Sequence, residues 1–129
     1  MDFLRKMGAP APTTRARGQQ AEDLALGYAL AQGWQLLERN YRTPGRGGGE
    51  IDLIVRTRDG TVVFVEVRSR NTARFGGAGG SIGSSKQRRI ILAARHWLAA
   101  QPVQPPCRFD AALVEGEQLQ WLQAAFSAG

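Results

Sequence analysis

Hydrophobic and polar positions alternate most clearly between Gly49 and Arg70, in the stretch GEIDLIVRTRDGTVVFVEVRSR. Runs rich in Val, Ile and Phe flank Arg58-Asp59-Gly60, a pattern that predicts two β-strands joined by a tight turn. Glu50 and Asp52 alternate with Ile51, Leu53 and Val55; Glu66 and Arg68 alternate with Val63, Val65 and Val67. Successive strand side chains point to opposite faces, so the charges are expected on one face of the hairpin and the aliphatic residues on the other. A three-residue loop, with Gly60 left-handed, sets Thr57 opposite Thr61 and Asp52 opposite Glu66. A two-residue loop sets Asp52 against Val67 and separates the carboxylates. The first register is the expected one, because it keeps one face wholly aliphatic. It also brings Asp52 and Glu66 within reach of one ion, with the Arg68 head group beside them.

Helical spacing appears on either side of this hairpin. From about Arg15 to Gln32, Ala21, Leu24, Ala25 and Tyr28 fall at i, i+3, i+4 and i+7, and Gly33 stands where a C-terminal cap is wanted. Glu22 lies beside that stripe. A strand is expected over Trp34 to Tyr41. A second helix opens at Ser84, where Ser84 and Gln87 fit a capping box, and it buries Ile90, Ala94, Trp97 and Leu98 before Pro102. Arg108 to Phe126 reads as a second hairpin turning at Glu115-Gly116-Glu117. Two glycine-rich loops flank the central hairpin. Thr43 to Gly49 carries Arg46 just after Arg42, and Asn71 to Ser84 carries Arg74 and Phe75. The order helix–strand–hairpin–helix–hairpin predicts one α/β domain over residues 15–129, after a mobile arm over residues 1–14.

Composition narrows the function classes. The 129 residues suffice for one core, 43% of them are hydrophobic, and no apolar run approaches the length of a membrane span. No signal-peptide core is visible at the N-terminus, and Cys107 is the single cysteine, so a reducing cytoplasm is the expected setting. Cys107 has no CxxC or Cys-His context, which argues against zinc binding and thiol catalysis. His96 has no partner visible in the sequence and reads as a helix-surface imidazole. The net charge of +6 and pI near 10.7 imply attraction to polyanions, foremost nucleic acid. Arg42 and Arg46 could clamp a strand, or their loop could be a plain connector. Arg70 precedes the second loop, and Arg74 lies within it. Lys86, Arg88 and Arg89 make the second helix basic from its first turn, where a cation opposes the helix dipole. That misfit hints at a phosphate partner or an active-site role, against the ordinary alternative of a solvated basic face.

Like charges opposite one another destabilise a sheet, so carboxylates placed there suggest use. The natural user is a hard divalent cation such as Mg²⁺, which takes one or two carboxylates and keeps several waters. The competing account is a solvated face on which Arg68 and Arg56 neutralise Glu66 and Asp52. Asp110 reads as structural, pairing with Arg108 or a loop amide.

These residues also carry a resemblance. An acidic residue on one strand followed by Glu-x-Lys on the next is the PD-(D/E)xK nuclease pattern. GEIDLI followed by VFVEVRSR resembles the YraN-type bacterial family, related to Holliday-junction resolvases. Glu22, Asn40-Tyr41-Arg42, Phe75-Gly76, Ser85-Lys86 and Arg108-Phe109-Asp110 extend the likeness over roughly Gly18 to Phe126. The resemblance implies a restriction-endonuclease-like mixed sheet with an α-β-β-β-α-β core and helices packed on it. It implies a Mg²⁺- or Mn²⁺-dependent DNA endonuclease, acting on branched, flap or single-stranded DNA in repair or recombination. Asp52, Glu66, Arg68 and Lys86 would then be catalytic, and Glu22, Glu50, Asp52 and Glu66 would ligate metal. A homodimer fits that reading, with an edge strand or an exposed Trp121 at its interface. Arg68 stands where the pattern has Lys, and Arg is a poor proton acceptor. Two alternatives therefore accompany the nuclease: a non-catalytic DNA-binding module, and a protein-interaction domain on the same fold.

Overall fold

A computed structural model describes residues 13–70 and 82–128. The arm over residues 1–12, Arg74 and Phe75 lie outside them. The elements are α1 (Thr14–Ala31), β1 (Gln35–Arg42), β2 (Glu50–Arg56), β3 (Val62–Arg70), α2 (Ser84–Ala99), β4 (Cys107–Glu115) and β5 (Gln118–Phe126). This is a mixed α/β fold. The five strands form one sheet in the order β1-β2-β3-β4-β5, antiparallel except for the parallel pair β3/β4. Parallel neighbours need a crossover, and α2 lies on it.

Local chemistry sets the ends of α1. Thr13 accepts the Ala16 N–H at 3.0 Å as N-cap, so the helix reaches into the expected arm by one residue. At the other end Gly33 is left-handed at φ +85°. Its N–H donates to the Leu30 carbonyl, and the Trp34 N–H donates to that of Ala29. Those two bonds are the Schellman pattern that the glycine announced. The start of α2 differs from expectation. Gly83 is its N-cap, Ser84 lies inside the helix, and the Gln87 amide donates to the Ile82 carbonyl at 2.7 Å instead of closing a capping box.

The central turn follows the three-residue register. Thr57 donates to Thr61 O, Gly60 has φ +93°, and Arg56 pairs with Val62 through to Leu53 with Val65. The expected aliphatic face is present at Leu53, Val55, Val63 and Val65, whereas the face expected to carry the charges is corrected. Both faces of β2 and β3 are buried, because a helix covers each. Leu53, Val55, Val63 and Val65 pack with Ala25 and Ala29 of α1; Ile54, Val62 and Phe64 pack with Ile90, Ala93, Ala94 and Trp97 of α2. Fully burying one such side chain contributes about 1.5–3 kcal/mol.

The stripe on α1 is also rotated from its expected position. Ala21, Ala25 and Ala29 face the sheet, whereas Tyr28 is 37% exposed and stacks on Trp121 at 4.9 Å. Trp121 is therefore half-buried rather than an exposed surface residue. Its indole N–H donates to Asp110 at 2.8 Å. Asp110 is fully buried and also accepts from Arg108 Nε and the Ala124 amide, as its structural reading required. Ala124 has φ +50°, so Asp110 pins the irregularity of β5 where Phe109 pairs with Phe126 but Ala111 with Leu122.

Candidate carboxylate site

The site begins where the β2/β3 ladder ends. Beyond Leu53 and Val65, the last pair of that ladder, the next residues on the two strands are Asp52 and Glu66. There the Asp52 carboxylate accepts the Val67 backbone N–H at 2.7 Å, and the Glu66 carboxyl lies within hydrogen-bond reach of it. Glu66 itself is 9% exposed. Its counter-charge comes from Lys86 in the first turn of α2, with Nζ 3.5 Å from Oε2. The helix thus carries a cation at its unfavourable end because a buried carboxylate faces it. Arg68 lines a cleft of about 300 Å³ together with Glu66, Val67, Ser69, Gly83 and Lys86.

Glu22 reaches the same region from α1 through an irregular β1. Leu36 packs on the α1 side of the sheet and Leu37 on the α2 side, yet Arg39 returns to α1 and Tyr41 to α2. Strict alternation would have put Leu37, Arg39 and Tyr41 on one face. A bulge between Leu36 and Glu38, and left-handed Asn40 at φ +54°, break the alternation on either side of Arg39. Asn tolerates this conformation better than most residues. The result places Arg39 Nε 3.5 Å from Glu22 and its Nη2 2.6 Å from Asp23, with the Asn40 side chain also hydrogen-bonded to Glu22. Asn40 stands opposite Asp52, between the pairs Arg39/Leu53 and Tyr41/Ile51.

Three further carboxylates, Glu22, Glu50 and Glu66, therefore gather around Asp52. Glu22 is held by Arg39, Glu50 by Arg42 at 3.6 Å, Glu66 by Lys86, and Asp52 by the Val67 amide. Burial pushes the Asp52 pKa up to about 7, the Glu66 charge adds to the rise, and the Val67 hydrogen bond offsets part of it. Burial also raises the pKa of Glu22, with the Asp52 charge adding to it and Arg39 opposing. Among the described residues no group of three or more His, Cys, Asp or Glu side chains is arranged to hold a metal ion. Asp52 and Glu66 by themselves match the one or two carboxylates with which Mg²⁺ is content. Glu22 and Glu50 stand behind them, each engaged by an arginine.

The basic residues surround this centre unevenly. Arg46, Arg88 and Arg89 are exposed, Arg42 is tied to Glu50, and Arg70 closes β3. The Thr43–Gly49 loop is pinned. The Gly49 N–H donates to Thr43 Oγ1 at 2.8 Å, and the Thr43 N–H to Gly49 O at 3.1 Å. Gly49 also lies so close to α2 that a Cβ there would come within 1.9 Å of the Arg89 carbonyl oxygen. Arg39 and the contact of the Tyr41 hydroxyl with His96 Nδ1 were missed in the sequence; the imidazole does have a partner. Their only signal was the Asn40-Tyr41-Arg42 triplet.

Comparison with known proteins fixes the family. The model of the uncharacterised protein family UPF0102 matches residues 21–114. The chain belongs to UPF0102. It is similar to a UPF0102 protein of Acidovorax sp. (strain JS42), at 65% identity over 99% of each chain. A UPF0102 protein of Paracidovorax citrulli is 68% identical over 91% of this chain and 87% of its own. The family match begins at Ala21, beside Glu22, and ends at Val114, so it spans all four carboxylates and Lys86.

Proposed function

We propose that this protein binds DNA and hydrolyses its phosphodiester bonds with a divalent cation, as an endonuclease in DNA repair or recombination. The observation that carries the reading is the Asp52–Glu66 pair at the end of a buried sheet, with the Lys86 ammonium 3.5 Å from Glu66. Two carboxylates that repel one another in a desolvated place are stabilised by a cation between them. The antiparallel run β1–β2–β3, the crossover helix α2 and the parallel strand β4 support a restriction-endonuclease-like core, which β5 extends. A DNA substrate fits the charge of +6 and a cytoplasmic setting. Among the described residues no helix is long and apolar enough to cross a membrane.

In this reading Asp52 and Glu66 hold Mg²⁺ or Mn²⁺, which supplies activation of water and neutralisation of phosphoryl charge. Asp52 must lose its proton before it can serve. Lys86 fixes the Glu66 carboxylate and offers its remaining N–H donors to a phosphate in the cleft. Arg68 presents a permanently charged fork on the same cleft, suited to gripping phosphate rather than accepting a proton. Arg42, Arg46, Arg88 and Arg89 supply the outer attraction, which Arg70 and Arg74 extend.

Arg68 in place of Lys favours a second reading, a domain that binds DNA without cutting it. Labelled four-way-junction, flap and single-stranded DNA, incubated with Mg²⁺ or Mn²⁺, separates the two. Cleavage that Asp52→Asn and Glu66→Gln both abolish, with binding intact, is the result expected of the nuclease. Salt-sensitive binding without cleavage selects the second reading, and neither binding nor cleavage removes both.

A further inference from the structure

The two edges of the sheet are built differently. The β1 edge is interrupted by its bulge and by left-handed Asn40, and it carries Glu38, Arg39 and Arg42. These are the devices by which proteins keep edge strands from pairing. The β5 edge has the sequence QLQWLQAAF, nine residues without a charge or a proline. Among the described residues no strand pairs with its outer side. Its single irregularity lies near the C-terminal end, at Ala124, and leaves Gln118 to Leu122 in continuous register with β4.

We propose that two copies of this chain pair β5 to β5, antiparallel about a two-fold axis through Gln120. The occupant follows from charge. In a molecule carrying +6, like surfaces repel unless the meeting surface is neutral, and β5 is a long neutral strand at the edge of the described sheet. The register follows from the side chains. About Gln120, Leu119 faces Trp121 of the partner subunit on the α1 side, and both already pack against the α1 cluster. Aliphatic–aromatic cross-strand pairs stabilise antiparallel strands. Gln118 faces Leu122 of the partner subunit, and Gln120 faces its own counterpart, whose amide can both donate and accept. The contact is isologous, as a two-fold axis demands, and joins two five-stranded sheets into one. It lies at β5, two strands away from the β3 strand that carries Glu66, and does not rest on the nuclease reading.

The test is the mass in solution by sedimentation equilibrium. The parent is expected at twice the 14.0 kDa of one chain. Gln120 is exposed, so Gln120→Lys and Gln120→Glu fold, checked by circular dichroism. Each sets like charges face to face across the axis, and each is expected as a monomer where the parent is a dimer. An equimolar mixture of the two is expected to recover the dimer, because Lys then faces Glu. A parent that stays monomeric up to its solubility limit overturns the proposal. So do single variants that remain dimeric, or a mixture that does not reassociate. Gln120→Thr, a neutral strand-former, is expected to stay dimeric and separates charge from loss of the amide.

Discussion

Lys86 Nζ stands 3.5 Å from Glu66 Oε2, so the first turn of α2 is fastened to β3 by an ammonium on a nearly buried carboxylate. The Glu66 side chain is 10% exposed and that of Lys86 is 50% exposed. The carboxylate is therefore fixed while the cation stays open to solvent. An ion or a phosphate reaching Glu66 must negotiate with Lys86 first.

Lys86→Met is accordingly expected to act in two directions. Removing the ammonium frees Glu66 for a divalent ion, so Mn²⁺ affinity rises about two- to fivefold, the equivalent of the roughly 0.4–1 kcal/mol of a half-exposed pair. Affinity for DNA falls in the same variant. Calorimetric titration with Mn²⁺ and with a DNA duplex reads both. Unchanged Mn²⁺ affinity would mean that Lys86 and the ion do not share Glu66.

The Asp52 carboxyl ties stability to pH. Its pKa is pushed up by burial to about 7 in the folded protein, from its ordinary value of 3.8. The native state therefore binds the proton more tightly than the unfolded chain does. The contribution of Asp52 to stability is fully present below about pH 4, declines as the pH rises to about 7, and is gone above. The slope for one proton is at most about 1.4 kcal/mol per pH unit. Asp52→Asn, which keeps an oxygen for the Val67 N–H, should flatten the decline, and Mg²⁺ should restore stability at pH 8 in the parent only. Urea unfolding at a series of pH values measures this. A parent as stable at pH 8 as at pH 5 would show that Asp52 is not desolvated as described.

The legible parts of this chain are those fixed by local chemistry. Arg58-Asp59-Gly60 gave the loop length, the loop length gave the register from Arg56/Val62 to Leu53/Val65, and Asp52 and Glu66 follow at the end of that ladder. Gly33 marked the end of α1 in the same way. What escaped depends on contacts between distant elements. The alternation in β1 fails at Leu37 and Asn40, and nothing in QLLERNYR says that Arg39 will cross to Glu22. The stripe on α1 was rotated because small alanines, rather than Tyr28, let the helix approach the sheet. Burial of both faces of β2 and β3 was signalled by Ile54 and Phe64, apolar residues in the phase of Asp52 and Glu66.

Gly49 offers a test of how tightly that site is assembled. A methyl group there would lie 1.9 Å from the Arg89 carbonyl oxygen and 3.3 Å from Ala93 Cβ, so Gly49→Ala must push β2 and α2 apart. Overpacking of this kind costs about 1–3 kcal/mol. Gly83→Ala meets nothing within 4 Å at an ordinary φ of −60° and should be nearly neutral. Denaturant midpoints compare the pair. Because α2 carries Lys86, whose ammonium competes with the ion for Glu66, Gly49→Ala should also raise Mn²⁺ affinity, which Gly83→Ala leaves alone. Equal stability of the two variants would mean that the contact yields without cost.

The basic residues can be sorted by the salt dependence of DNA binding. Each phosphate neutralised adds about 0.9 to the slope of log K against log salt on duplex DNA. Arg46 and Arg88 are exposed on the two elements that meet at Gly49, whereas Arg58 lies at the far turn with its guanidinium over Gly33. All three substitutions to Ala remove one charge, so net charge alone would lower the slope equally. If binding runs over the carboxylate end of the sheet, Arg46→Ala and Arg88→Ala each reduce the slope by about one and Arg58→Ala leaves it unchanged. Binding measured by fluorescence anisotropy between low and moderate salt decides it. Three equal reductions would mean diffuse attraction to a basic protein, and a reduction for Arg58 alone would move the DNA to the opposite end of the molecule.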